Sequence, residues 1–238
     1  MTTFQLDDTV GTIVRNYPNL SRLFEQVKLD YCCGGQKTLD EACRQRGINP
    51  EAFLSQLEDY AAAETTPEIN LAEISLTELA DHIEQVHHTY LHEELPRLEK
   101  LVTKVAAAHG QKEPRLNQIK EVFLALSAEL TTHLMKEEQV LFPLIRQLES
   151  SDTLPRFHCG SLVNPINRME FEHDDAGTAL AQLRKLTEDF TPPEWACNTY
   201  RALLDALATF EQDMHQHIHK ENNILFPRSI ELEWKKAG

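Results

Sequence analysis

Two stretches of the chain, HLMKEEQVLFP at 133–143 and HIHKENNILFP at 217–227, set a histidine four residues ahead of a glutamate and close on Leu-Phe-Pro. Position by position they share His, Lys, Glu, Leu, Phe and Pro, and they pair Leu134 with Ile218 and Val140 with Ile224. Residues four apart on a helix lie on one face, so His133 with Glu137 and His217 with Glu221 can each aim a nitrogen and a carboxylate at one point. That is donor chemistry for a cation. A single pair of this kind is more often a solvated hydrogen-bonded pair. Two copies with matched flanks read as a duplication whose spacing serves a site.

The elements that must position those pairs are legible in the apolar spacing. Steps of three and four, with no convincing strand pattern, predict four long helices over about 73–108, 115–148, 165–189 and 194–226, divided by His109-Gly110, by SSDTLPRFHCGSLVNP and by Thr191-Pro192-Pro193. The first two core stripes run through Leu91, Leu95, Leu98, Val102 and Val105, and through Ile119, Leu126, Leu130, His133, Glu137 and Val140. The other two run through Ile166, Met169, His173, Ala176, Leu180 and Leu183, and through Leu203, Leu207, Phe210, Met214, His217, Glu221 and Ile224. This is the seam of a left-handed four-helix bundle, with polar residues set into it. His88 lies three before Leu91, which favours it over its neighbour His87. The order histidine, then His-x3-Glu, therefore occurs twice: His88 with His133 and Glu137, and His173 with His217 and Glu221. His82, His109, His158, His215 and His219 fall off the seams or in loops and read as surface residues. His158-Cys159 reads as solvated loop rather than a metal lid.

Four imidazoles and two carboxylates buried without partners would each cost several kcal/mol. A pair of metal ions offsets that cost, with the histidines capping the ions and Glu137 and Glu221, one from each half, bridging them. Zinc would accept these donors. Carboxylate-bridged bundles and mixed nitrogen and oxygen sites with open positions suit iron or manganese better, and two irons are the favoured reading.

The bulk composition is compatible with such a protein. The chain has 238 residues, 41% hydrophobic and 26% charged, enough for one large or two modest cores. Only 8 glycines accompany its Leu-, Ala-, Glu- and Lys-rich stretches, so the expected fold class is all-α. A formal charge of −15 repels phosphate backbones and argues against a nucleic-acid partner. No run reaches the roughly 20 apolar residues of a membrane helix, and MTTFQLDDTVGT has no signal-peptide core, so the expected setting is cytoplasmic, away from a membrane. Cys32, Cys33, Cys43, Cys159 and Cys197 are too few and too irregular for a disulfide framework, and adjacent Cys32 and Cys33 read as free thiols because a vicinal bridge is strained.

Residues 1–64 are expected to form a small helical Cys-Cys domain. It would comprise a helix around Leu20, Leu23, Phe24 and Val27, the DYCCGG turn at 30–35 made tight and left-handed by Gly34 and Gly35, and a short helix from Thr38 to Arg46. A third helix would be capped by Asn49 with Pro50 at its first position. TTPEIN at 65–70 reads as a linker to a bundle over 71–238.

Taken together, DYCCGG, HLMKEEQVLFP, FEHDDAG at 171–177 and HIHKENNILFP make the chain resemble the iron–sulfur cluster repair di-iron proteins, the repair-of-iron-centres family, over nearly its whole length. The resemblance implies a hemerythrin-like bundle behind a cysteine-containing N-terminal domain. It implies a cytoplasmic, stress-induced bacterial protein whose non-haem di-iron centre, with an oxo or hydroxo bridge, helps restore clusters damaged by nitric oxide or oxidants. Its partners would be damaged iron–sulfur proteins and a diatomic ligand such as nitric oxide, and the family suggests a homodimer. The family pattern puts ligands at His88, His133, His173 and His217 with Glu137 and Glu221 as bridges, in agreement with the seams. It also places Glu129 and Glu172 on a route to the metals, although ordinary helix-surface acids would explain them as well. Cys32 and Cys33 match its cysteine pair, for which a thiol role in delivering iron or accepting a nitrosyl stands beside a merely structural turn. FHCGSLVNP in the third loop matches no motif of the family.

Three functions of different kind fit these residues: an iron donor or repair factor, a di-iron enzyme reducing nitric oxide or peroxide, and a sensor or store of a diatomic ligand. An oxygen carrier of ordinary hemerythrin type would be expected to have a second His-x3-His pair. This chain has Gly177 four after His173 and Glu221 four after His217.

Overall fold

A computed structural model describes residues 4–63, 71 and 73–238, so the expected linker at 65–70 lies outside the described residues. Among the described residues no strand forms beyond a single antiparallel bridge pair, Thr9 with Thr38. The fold is all-α.

The N-terminal unit is built from α1 (Val10–Asn16), a 3-10 turn (Pro18–Leu20), α2 (Ser21–Gln26), α3 (Leu39–Gln45) and α4 (Pro50–Ala63). Side-chain caps set these short helices. The Thr9 hydroxyl accepts from Thr12 N, Thr38 and Glu41 form a reciprocal capping box, and Asn49 Oδ1 accepts from Ala52 N at 2.9 Å. α1 is not among the expected helices, although Val10, Ile13, Val14 and Tyr17 keep the i, i+3, i+4, i+7 spacing of a helix face and the first three are buried. Phe24, Tyr31, Phe53 and Leu57 lie in the core of this unit.

The bundle helices are longer. The first is α5 (Leu76–Ile83), a π turn (Glu84–His88) and α6 (Thr89–His109); the second is α7 (Arg115–Lys136), a π turn (Glu137–Leu141) and α8 (Phe142–Ser150). The third is α9 (Val163–Leu186), and the fourth is α10 (Asn198–Lys220), a π turn (Glu221–Leu225) and α11 (Phe226–Ala237). The last helix runs well past the expected end near 226.

The two Leu-Phe-Pro motifs explain two of the π turns. A proline in a continuous helix has no N–H for the carbonyl four residues back, and its ring collides with that carbonyl. Widening the spiral by one residue ahead of Pro143 and Pro227 removes the conflict: Phe142 N bonds Glu137 O and Phe226 N bonds Glu221 O, both five back. Each proline then sits in a first turn, where the helix tolerates it. The extra residue also shifts the phase of the seam. Val140, expected in the second stripe, is 38% exposed, and Leu141 is buried in its place.

The bundle interior divides into two apolar cores. One holds Leu91, Leu98, Leu130, Leu134, Ala176, Met214 and Ile218; the other holds Ile83, Leu141, Phe142, Met169, Ile224 and Phe226. Between them lies the belt of seam histidines and glutamates. In the loop between the second and third bundle helices, Phe157 and Leu162 are buried in the second core, and Glu233 accepts hydrogen bonds from Leu162 N and the Ser161 hydroxyl. His158 is exposed there.

The N-terminal unit docks on the fourth helix. Asn223 Nδ2 donates to Cys32 O at 3.0 Å, the His219 ring bonds Tyr31 O at 3.2 Å, and His215 Nδ1 pairs with Glu25 Oε1 at 2.9 Å. His219, expected at the surface, is therefore buried, while His82, His109 and His215 are partly buried. Gly34 and Gly35 do not take left-handed conformations; positive φ among the glycines occurs at Gly47, Gly160 and Gly238. Gly35 instead permits close approach, since a Cβ there would lie 2.2 Å from Asn223 Oδ1. Gly11 is equally confined: its Cβ would meet Asn223 Oδ1 at 2.4 Å and Gly35 O at 2.9 Å. Gly11→Ala should destabilise the protein by about 2 kcal/mol through overpacking of this junction, lowering Tm by roughly 4–8 °C in calorimetry. An unchanged Tm would contradict the docking described here.

Candidate metal centre

Four histidines and two glutamates converge in the belt between the apolar cores. His88, Glu137, His217 and Glu221 form one donor group and His133, Glu137, His173 and Glu221 another, with the donor atoms of each group within 4.8 Å of one another. All six residues are buried, and both glutamates belong to both groups. His87 does not enter either group.

The inward atoms are the four Nε2 nitrogens. His133 Nε2 lies 3.0 Å from His173 Nε2, and His88 Nε2 lies 3.2 Å from His217 Nε2. Two nitrogens each ~2.1 Å from one cation stand about 3.0 Å apart at a right angle and about 3.4 Å apart at the tetrahedral angle. The observed spacings are those of two nitrogens that share one cation. His217 Nε2 is 3.0 Å from Glu221 Oε1, His173 Nε2 is 3.1 Å from Glu221 Oε2, and His133 Nε2 is 3.3 Å from Glu137 Oε2. Both carboxylates are wholly inaccessible, and Glu137 Oε1, Glu137 Oε2 and Glu221 Oε2 accept no well-aligned hydrogen bond, although the His133 and His173 nitrogens stand close to two of them. Buried carboxylate oxygens left in this way are costly unless a cation meets them. The donor set fits a metal.

The outward ring nitrogens are held by neighbours. His88 Nδ1 pairs with Glu138 Oε1 at 3.0 Å, and His173 Nδ1 pairs with Asn222 Oδ1 at 2.7 Å. His133 Nδ1 pairs with Glu172 Oε2 at 2.9 Å. These bonds leave each Nε2 as the inward donor and fix the plane of each ring. Glu138 and Asn222 were missed in the sequence, although each directly follows a seam glutamate and each serves the lone histidine of its own half. The fourth ring breaks the symmetry. His217 Nδ1 has no partner, and the ring lies parallel to His87, with centroids 5.4 Å apart. His87 is itself held by Asp213 Oδ1 at 2.8 Å and by Lys220 Nζ at 2.7 Å.

The electrostatics reflect the same enclosure. Burial disfavours a charged His133, but the Glu137 and Glu221 carboxylates outweigh it and push its pKa up to about 9. Burial likewise opposes ionisation of Glu221, yet His217, His173 and His88 hold its carboxyl well below the usual carboxylate range. Protons on imidazole thus balance the carboxylates where cations otherwise would, so protons compete with metal and loading must expel them. Glu172, opposed by burial but bound by Lys136, His133 and Arg168, is held down at about 2 and is ionised.

Glu172 and the exposed Glu129 line one cavity of about 340 Å³ together with His133. On another side of the bundle, Cys33 Sγ contacts the His173 carbonyl oxygen at 3.6 Å, and Cys32 lies buried beside it. All five cysteines are free.

Comparison with known proteins agrees with this geometry. Residues 79–229 match the Hemerythrin HHE cation binding domain, and residues 6–61 match a domain of unknown function, DUF542. The iron-sulfur cluster repair protein YtfE of Enterobacter sp. (strain 638) is 35% identical over 224 residues, 94% of this chain and 97% of that protein. The protein of the same name from Citrobacter koseri is 36% identical over 224 residues, with the same coverage of 94% and 97%. That of Pectobacterium carotovorum subsp. carotovorum is 35% identical over 227 residues, covering 95% and 98%.

Replacing a shared carboxylate should remove metal. Glu137→Leu or Glu221→Leu is expected to lose at least one metal ion per chain by elemental analysis, and full loading of either variant would contradict the sharing. Glu172→Gln, which weakens the hold on His133, should reduce metal affinity by ~10–100-fold while leaving the helical circular dichroism unchanged.

Proposed function

Because the chain belongs to the iron–sulfur cluster repair family built on the hemerythrin HHE cation binding domain, we propose that it restores iron–sulfur clusters damaged by nitric oxide or oxidative stress, by supplying iron or by removing nitrosyl. Two non-haem irons would be held by His88, His133, His173 and His217 and bridged by Glu137 and Glu221. When bound, they would supply redox chemistry and exchangeable positions for a small diatomic ligand.

The observation that carries this reading is the sharing of Glu137 and Glu221 by two donor groups. A single cation would not need two groups. The remaining residues have separable roles. Glu138, Glu172 and Asn222 orient rings through Nδ1, keeping Nε2 unprotonated toward the centre once metal is present. The apolar cores above and below limit water in the belt. Glu172, ionised and anchored by Lys136 and Arg168, lines the cavity that reaches His133, and we take that cavity as the access route to the metals, with Glu129 at its exposed side. No helix among the described residues is long and apolar enough to cross a membrane.

The test is a purified mixture. The reduced, iron-loaded protein should return activity to an iron–sulfur enzyme inactivated with nitric oxide, and the Glu137→Leu variant should not. If the protein consumes nitric oxide over many turnovers and leaves the enzyme inactive, it is a reductase. Stoichiometric binding of nitric oxide with neither effect would identify a sensor.

A further inference from the structure

Outside the bundle, one more group of donors converges. Asp30, Cys32 and Cys33 place a carboxylate oxygen and two thiol sulfurs within 4.8 Å of one another, on the DYCCGG turn where it packs against α9. The two sulfurs are 3.9 Å apart, and Cys32 Sγ is 3.3 Å from Asp30 Oδ1. Around a tetrahedral ion with metal–sulfur bonds of ~2.3 Å and a metal–oxygen bond of ~2.0 Å, two sulfurs stand about 3.8 Å apart and sulfur and oxygen about 3.5 Å apart. The free side chains already stand near that spacing.

The turn is stiff enough to keep this arrangement. Asp30 Oδ1 accepts from Cys32 N at 3.1 Å and Cys33 N at 3.0 Å, and Oδ2 accepts from Gly34 N at 2.9 Å. Behind it, Asn223 Nδ2 grips the Cys32 carbonyl. Cys33 is pressed onto the bundle beside Gly177, where an added Cβ would lie 3.4 Å from Cys33 Sγ. The open side of the trio faces a cavity of about 640 Å³ between the N-terminal unit and the bundle, which all three residues line. Three protein donors and one open position is the pattern of a site that exchanges its metal or accepts a ligand, as opposed to a closed structural site.

We propose that Asp30, Cys32 and Cys33 form a third, exchangeable metal site for a borderline-soft divalent cation such as iron(II), with its fourth position open to water or to an incoming ligand in the cavity. Binding exchanges two S–H bonds for two metal–sulfur bonds, releases two protons to solvent and changes no oxidation state. Two thiolates and one carboxylate suit iron(II), cobalt(II) or zinc, and exclude magnesium and calcium. Use of the site to pass iron on to a damaged cluster rests on the repair function proposed above. The existence of the site does not.

Cobalt(II) is the probe. The full-length protein, with its bundle iron loaded and its thiols reduced, is titrated with cobalt(II) under anaerobic conditions. Thiolate-to-cobalt charge-transfer absorption should grow and saturate at one equivalent per chain, and one equivalent of zinc should remove it. Nitrogen and carboxylate donors of the bundle give no such band. Cys33→Ser, a near-isosteric change at a half-buried position, should weaken cobalt binding by more than the ~10–100-fold lost with an outer-shell partner, and bundle iron should stay unchanged as the control for folding. The Cys32→Ser, Cys33→Ser double variant should show no band. Absence of the band in the unaltered protein, or its persistence in the double variant, overturns the site. Neither result touches the repair assay, so the two proposals fail separately.

Discussion

Two carboxylates enclosed between apolar cores are the constraint on which the rest of the structure turns. Glu137 and Glu221 have no accessible surface, and three of their four oxygens accept no well-aligned hydrogen bond. Nothing in a folded chain leaves such groups in place at equilibrium without positive charge nearby. Protons on His88 and His133, whose pKa values the neighbouring carboxylates raise, answer that demand only in part, and cations answer it fully. The apolar layers above and below and the outward hydrogen bonds of the rings hold those oxygens in place.

The backbone departs from regular helix where that work is done. Glu137 and Glu221 each open a π turn, and His88 closes another. A π turn rotates the residues that follow by an extra step, so a ligand can face the centre while the next apolar residue still faces the core. Proline sets the position of two of these turns. The second and fourth helices thus share their π turn as well as their His-x3-Glu pair, whereas the third helix runs without the π turn of the first. The halves differ at the outer ring nitrogens, where Glu138, Glu172 and Asn222 serve three histidines and His217 rests on His87 instead. The two donor groups therefore experience unequal surroundings.

Much of this was legible in the residues. Seam spacing brought His133, Glu137, His173, His217 and Glu221 to one level because helical periodicity is rigid over a few turns, and Leu91 fixed the phase that selects His88 over His87. Where a proline perturbs the spiral, periodicity loses its phase, and Val140 was assigned to the core that Leu141 occupies. Contacts between units were not legible at all. His219 gives no sign in its own helix that Tyr31 covers it, and the sequence suggests a left-handed turn at Gly35, whose role is to admit Asn223. Such facts depend on surfaces distant in sequence, which local pattern does not record. The resemblance to repair proteins reached the family that full-length similarity to its members establishes.

The thiol turn and the bundle meet along α9, close to His173. The whole account still stands on the bundle centre. Its most direct test is Mössbauer spectroscopy, with metal analysis, on protein purified without air and enriched in iron-57. Two irons per chain with the magnetic coupling of a carboxylate-bridged pair are expected. A single iron, two uncoupled irons or zinc in their place would contradict it.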